Sequence, residues 1–253
     1  MLKRILLTCA ALPVLAGSAF AADLTPPPDY GWQFTFAPYL WASRITGDVG
    51  IGDRTADVDV SFKDILEHLD FAFMSAGEAR NGRFSLSADV MYSALSSSDD
   101  TPHGIIANKI DSNLSEWIVT GVAGYSLLYD DRYNLDVVAG ARYWSANTKL
   151  KVKGGLLDGS SASDTVNWTD PMIGVKGKAY ISDQFFVLGW GLIGGFGVGA
   201  KSDWDVMGGV GYDFSDRFST VLSYRALGIN YEQGKGELNL VYSGPLLGVV
   251  FKF

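Results

Sequence analysis

Alternation of apolar and polar side chains with a period of two, sustained over long segments, is what most limits how this chain can fold. In residues 83–95, Phe84, Leu86, Ala88, Val90, Tyr92 and Ala94 share one face, and Arg83, Ser85, Ser87, Asp89, Met91 and Ser93 share the other. Residues 132–146 repeat the pattern, with Tyr133, Leu135, Val137, Ala139, Ala141 and Tyr143 opposite Asn134, Asp136, Gly140 and Arg142. Residues 203–214 do so again, with Trp204, Val206, Val210, Tyr212 and Phe214 opposite Asp203, Asp205, Met207 and Asp213. Successive side chains of a strand point to opposite faces, so each segment reads as a strand with one oily and one polar side. Within residues 22–253, the long uncharged apolar stretch at residues 185–200 is shorter than the ~20 residues a membrane-spanning helix needs and is rich in glycine. A mean hydropathy of +0.12 is likewise too polar for a bundle of membrane helices. A tilted strand crosses a bilayer with ~9–11 residues, but a soluble β-sandwich would alternate in the same way.

Three further features favour a membrane barrel. Aromatic residues gather toward segment ends, as in Trp32, Tyr92, Trp117, Tyr129, Tyr133, Tyr143, Trp204, Phe214, Phe218 and Tyr224, which suits two interfacial girdles. Connections alternate in length. Asn81-Gly82, Asp130-Asp131, Ser182-Asp183 and Ser215-Asp216 are tight, whereas residues 46–70, 96–113 and 147–163 are long and polar, the arrangement of outer-membrane barrels. The chain also ends on a strand in which Leu247, Val249, Phe251 and Phe253 share one face.

That ending resembles the terminal strand of bacterial outer-membrane barrels, and the resemblance implies that Phe251 and Phe253 form the assembly signal read by the barrel-assembly machinery. Ala21-Ala22-Asp23-Leu24, followed by Thr25-Pro26-Pro27-Pro28 and Trp32, is similar to the mature start of small porin-family outer-membrane proteins of alphaproteobacteria. Within a wider set of outer-membrane proteins, the similar segments are Ala37-Pro38-Tyr39-Leu40-Trp41, Ala56-Asp57-Val58-Asp59-Val60-Ser61-Phe62 and Glu78-Ala79-Arg80-Asn81-Gly82-Arg83. The resemblance implies a fold and a location, and no reaction.

Residues 1–21 read as an export signal. Lys3 and Arg4 precede an apolar run from Ile5 to Ala16, and small residues close it at Ala19-Phe20-Ala21, which is the order of a cleavable secretory peptide. Residues 22–253 are then a single outer-membrane domain in a Gram-negative envelope. Cys9, the one cysteine, leaves with the signal, so disulfides, thiolate metal sites and a cysteine nucleophile are excluded. Acidic residues outnumber basic ones 28 to 20, which leaves no positive excess for a phosphate backbone and excludes nucleic acid as a partner. Lipid, lipopolysaccharide and small solutes remain as partners.

Counting strands at residues 32–46, 71–80, 83–95, 114–129, 132–146, 168–181, 185–199, 203–214, 218–229 and 238–253 gives an all-β, antiparallel up-and-down barrel of about ten strands. Eight or twelve stay open, because residues 45–51 and 54–60 can add a hairpin, read here as rising above the membrane. Pro38, Pro171 and Pro245 each remove a ladder donor, so bulges or strand ends are expected there. With the oily faces on lipid, the lumen receives Glu78, Arg80, Asp89, Glu116, Asp136, Arg142, Lys176, Lys178, Asp205, Asp213 and Arg225. These charges either pair across a narrow lumen and fill it or line a charge-selective pore.

Residues 185–199 put glycine at 189, 191, 195, 197 and 199, and Gly209 and Gly211 continue the series. With Leu188, Trp190 and Leu192 assigned to lipid, those glycines face inward and leave room for something bulky. Ser61 can cap a helix over residues 62–69, in which Phe62, Ile65, Leu66 and Leu69 make an apolar stripe. That helix is expected to plug the mouth, with a position flat on the outer leaflet as the rival.

Covalent chemistry finds little support. The histidines are His68 and His103, and neither stands in an Asp-x-His pair. Ser96, Ser97, Ser98, Asp99, Asp100 and His103 have the composition of a hydrolase set, but so has any polar loop. Gly189-Trp-Gly-Leu-Ile-Gly194 matches the dinucleotide-binding spacing without the following helix that would hold a phosphate. The carboxylates at 57, 59, 99, 100, 158 and 164 lack calcium-loop spacing. The expectation is no catalytic residue, no cofactor and no metal. The role expected is structural, or restricted diffusion of small solutes through a largely occluded lumen. An adhesin or ligand-binding barrel acting through the long loops is the alternative, and an outer-membrane hydrolase is the weaker third.

Overall fold

The computed structural model describes residues 31–51, 54–100, 109–153, 159–234 and 236–253. The export segment and His103 lie outside the described residues. Twelve strands and one helix follow in order: β1 (Trp32–Trp41), β2 (Arg44–Ile51), β3 (Arg54–Val60), α1 (Phe62–Glu67), β4 (Leu69–Asn81), β5 (Phe84–Asp100), β6 (Lys109–Tyr129), β7 (Tyr133–Lys153), β8 (Ser161–Tyr180), β9 (Phe185–Gly195), β10 (Ser202–Ser215), β11 (Phe218–Gln233) and β12 (Gly236–Lys252). β1 pairs antiparallel with both β4 and β12, which closes β1 and β4–β12 into a ten-stranded barrel. β2 and β3 form the hairpin outside that ring, with β2 on the upper half of β12.

The outer surface is what a bilayer requires. Phe84, Leu86, Ile173, Val175, Val210, Leu222 and Leu247 are all exposed, far more contiguous apolar surface than a soluble protein leaves to water. Phe185, Tyr212, Phe214, Phe218 and Phe251 touch in series near the tight turns, and Phe71, Tyr92 and Trp117 form a second aromatic group toward the other end. Among the described residues no helix is long and apolar enough to cross a membrane.

Pro38, Pro171 and Pro245 each lie where a ladder stops or breaks. Pro38 makes the last rung of β1 on β4, with Ser75. Pro171 is the first residue of β8 beyond the end of β9, whose pairing starts at Met172. Pro245 faces the interruption between β1 and β2, where Ala42 donates to its carbonyl at 2.9 Å but receives no N–H in return.

Most of the expected long loops are strand. β5 runs to Asp100, β7 to Lys153, and β8 starts at Ser161. Above the bilayer neither face needs to be oily, so the alternation stops while the ladder continues, supported by Ser98–Asp111 (2.5 Å), Asn147–Thr165 (2.5 Å) and the Lys153–Asp111 pair.

One strand is turned over relative to the sequence reading. Lys178 pairs with Leu188, Lys176 with Trp190, and Leu192 with Asp205, so Leu188, Trp190 and Leu192 face the lumen while Gly189 and Gly191 face outward. The cause is the turn. Ile181 and Ser182 both donate to the Phe185 carbonyl (2.9 and 3.2 Å), and the Ser182 hydroxyl accepts from the Phe185 amide at 3.0 Å. A turn one residue shorter, on Ser182-Asp183, would reverse every side chain of β9. Gly209 and Gly211 do face inward, and the Phe186 ring packs on the bare face of Gly211. Cysteine labelling checks the inversion. Leu188→Cys is expected to react with a membrane-impermeant maleimide and Gly191→Cys to stay protected in liposomes; the reverse would restore the other phase.

Candidate functional site

The lumen is built in three layers. Its middle is a cross-linked layer of charge. Arg142, with no exposed surface, donates to Thr120 (2.8 Å), Asp203 (2.6 Å) and Asp205 (2.6 Å). Asp205 also accepts from Arg225 (2.7 Å) and from the Trp190 indole (2.9 Å). Arg225 reaches on to Asp89 (3.0 Å) and the Tyr39 hydroxyl (3.0 Å), which itself donates to Asp89 at 2.8 Å. The Arg225 guanidinium lies 5.1 Å from the rings of both Trp41 and Trp190. These residues come from strands on opposite sides of the ring, so the layer spans the lumen. Among the described residues only Ser223 Oγ and Asn230 Oδ1 are buried side-chain atoms without a partner, so the network is saturated, the condition under which buried charge is tolerated.

Toward the long-strand end lies an aromatic layer. Trp144 stacks on Trp168 (5.6 Å, 11°), and Trp168 on Tyr231 (3.9 Å, 17°). Tyr242 contacts Trp144 and Trp41 and donates to Glu116 at 2.9 Å. Trp41, Trp144, Tyr231 and Tyr242 are buried and share a core with Leu227, Ile229 and Leu246. The short β9–β10 turn adds Ala200, whose amide donates to Asp170 at 2.7 Å.

Toward the tight turns the lumen opens into a cavity of about 530 Å³. Its polar wall carries the Arg80–Asp136 and Lys176–Glu78 pairs, and Lys252 pairs with Asp213 at 2.8 Å. Its other wall is the inverted strand.

Of the lumen residues expected from the sequence, Glu78, Arg80, Asp89, Arg142, Lys176, Lys178, Asp205 and Arg225 line the cavity, and Asp136, Asp213 and Glu116 bond to Arg80, Lys252 and Tyr242. Asp89, Asp136, Arg142, Asp205 and Arg225 belong to bonded networks, Arg80 joins Asp136, and Glu116 joins the aromatic layer. Trp41, Trp144, Trp168 and Trp190 were not expected there. Trp144 and Trp168 were legible, since each stands two residues from an inward charge, Arg142 and Asp170, and so shares its face.

The helix differs from expectation. Ser61 caps it as anticipated, with Ser61 and Asp64 exchanging cap hydrogen bonds, and those bonds hold the Asp64 carboxyl below the usual carboxylate range. None of its residues is buried; it packs on β2, Phe62 and Leu66 are exposed, and Leu69 begins β4. The lumen is already filled by the aromatic layer, and the glycines it was to meet on β9 point outward, so it does not plug the barrel.

Among the described residues no three His, Cys, Asp or Glu side chains converge on a metal position. His68 is exposed, with Nδ1 2.8 Å from the Asp64 carbonyl of its own helix.

This architecture is that of an outer-membrane β-barrel. Among solved structures it is similar to the outer-membrane protease OmpT from Escherichia coli, with a TM-score of 0.55 and 10% identity over 90% of this chain and 98% of that one. Ail, the attachment invasion locus protein of Yersinia pestis, aligns at 11% identity and a TM-score of 0.40, over 88% of this chain and 99% of that one. Neisserial surface protein A aligns at 12% and 0.37, over 88% and 99%. No protein-family model and no curated protein matches the chain. At 10% identity, the likeness to OmpT shows a shared fold alone.

Proposed function

We propose that this protein is a sealed outer-membrane barrel with a structural role, exported by its first 21 residues and inserted with its tight turns in the periplasm. The observation that carries the reading is the fully buried Arg142, tied to Asp203 and Asp205 and through Asp205 to Arg225. A diffusion pore needs solvated charges, and these have exchanged water for one another. Phe251 lies on β12, the closing strand, and Phe253 directly follows it, where Phe253 and Phe34 exchange backbone hydrogen bonds (2.9 and 3.2 Å), a position that suits an assembly signal. No catalytic role is assigned to His68, which bonds its own helix.

The test is single-channel recording of the refolded protein in a planar bilayer, with insertion verified. Silence is the expected result, and steady openings would replace the sealed barrel with a diffusion pore. A second reading, surface attachment, draws support from β6 and β7, each of 21 residues, about twice the length a bilayer needs.

A further inference from the structure

We propose that the periplasm-facing cavity is a binding site for a small organic anion, a monocarboxylate with an apolar body, with Lys178 as its counter-ion and the inverted strand β9 as its apolar wall. The reading goes beyond the sealed barrel, because such a ligand is held below the seal and need not cross it.

Lys178 is unlike the other cations of the lumen. Arg80, Arg142, Lys176, Arg225 and Lys252 each hold a carboxylate. Among the described residues no carboxylate lies within ion-pair distance of the Lys178 ammonium. It donates instead to the Tyr180 hydroxyl at 2.9 Å and sits 3.9 Å from the centre of the Phe186 ring and 4.4 Å from that of Tyr180. Ring faces and a phenol hold an ammonium without neutralising it. The nearest carboxylate reaches it only through that phenol, since the Tyr180 hydroxyl donates to Asp213 at 2.7 Å while Asp213 pairs with Lys252 and Glu78 with Lys176. A cation in a confined site whose neighbouring carboxylates are held by other cations favours an anionic guest, and a carboxylate meets it through charge-assisted hydrogen bonds.

The apolar half comes from β9. A strand of a membrane barrel ordinarily turns its large apolar residues to lipid; this one turns Leu188 and Trp190 to the cavity and leaves Gly189 and Gly191 outside. Leu188 is the direct ladder partner of Lys178, so the ammonium and the apolar wall are adjacent. Val138, Val221 and Val250 extend that wall. A volume of about 530 Å³ falls within the range of small-molecule sites, roughly 300–1,000 Å³, and the Arg142–Asp205–Arg225 layer closes the inner end.

The test is calorimetric titration of the refolded protein in micelles with 2-naphthoate and with its neutral isostere 2-naphthamide, each corrected against protein-free micelles. The acid is expected to bind at least about tenfold more tightly than the amide. Lys178→Met is expected to remove that preference, bringing the affinity for the acid down to about that for the amide, Lys178→Arg to keep most of it, and Leu188→Asn to weaken both ligands. Absence of naphthoate binding at millimolar concentration, equal binding of acid and amide, or full affinity in a folded Lys178→Met protein would each overturn the proposal. The comparison of acid with amide needs no variant, so it decides even if Lys178→Met fails to fold.

Discussion

Arg142→Met is expected to destabilise the barrel by about 3–5 kcal/mol, the cost of breaking a buried ion pair by removing one partner. The substitution keeps most of the side-chain volume, so the loss is electrostatic. Asp205 retains Arg225 and the Trp190 indole, but Asp203 keeps only the Trp144 indole at 2.9 Å. Asp203 is 1% exposed, so its carboxylate would be left in a site that water does not reach, and desolvation would dominate. Urea unfolding in micelles, followed by tryptophan fluorescence, measures the loss. Adding Asp203→Asn to Arg142→Met removes the stranded charge and should restore a large part of it, because the two positions are coupled. A loss below about 1 kcal/mol for Arg142→Met, the size of a solvated surface pair, would mean that water fills the lumen at this level, and the sealed-barrel reading would fall with it.

What the sequence disclosed, and what it hid, follows from how each strand marks its two faces. In β5, β7 and β10 one face carries charge or serine, and lipid cannot accept it, so the phase is fixed by about 2–4 kcal/mol for a single misplaced arginine. That is why Arg142 and Asp205 could be assigned inward before any coordinates. β9 has no charge on either face: Phe185, Val187 and Ile193 share a face with Gly189 and Gly191, opposite Phe186, Leu188, Trp190 and Leu192, and nothing in it alone opposes the more familiar choice of Leu188 and Trp190 on lipid. Its phase is inherited from β8 through a turn whose length differs by one residue from the tighter alternative, a difference set by Ser182 and the Phe185 carbonyl and invisible to periodicity. The cavity proposed as a binding site lies against this strand, where the local pattern and the global fold disagree, and such disagreements concentrate at functional positions. The helix was legible as a helix because its cap is local, whereas its place depended on whether the mouth was already occupied, a property of five aromatic residues on separate strands.

Trp168→Ala is expected to cost about 3–5 kcal/mol, as for a large aromatic side chain lost from a core, and to leave the barrel non-conducting. Trp168 lies between Trp144 and Tyr231 in the stack and donates to Asp170 at 2.9 Å. Together with Tyr231 it also closes a gap in the barrel wall. The β9–β10 hairpin ends at Gly195 and Ser202, while β8 and β11 continue upward on either side, so the wall is low there and the stack of Trp168 on Tyr231 bridges the gap. Removing the indole opens the aromatic layer at that notch and leaves the Asp170 carboxylate, among the described residues, with the Ala200 amide as its remaining donor. The charged layer below is untouched, because none of its bonds to Arg142 or Arg225 passes through Trp168. Two seals in series therefore predict a split outcome, with lower stability in urea and continued silence in the planar bilayer. Steady openings from a folded Trp168→Ala protein would assign the seal to the aromatic layer alone and reduce the arginine network to a scaffold around an open path.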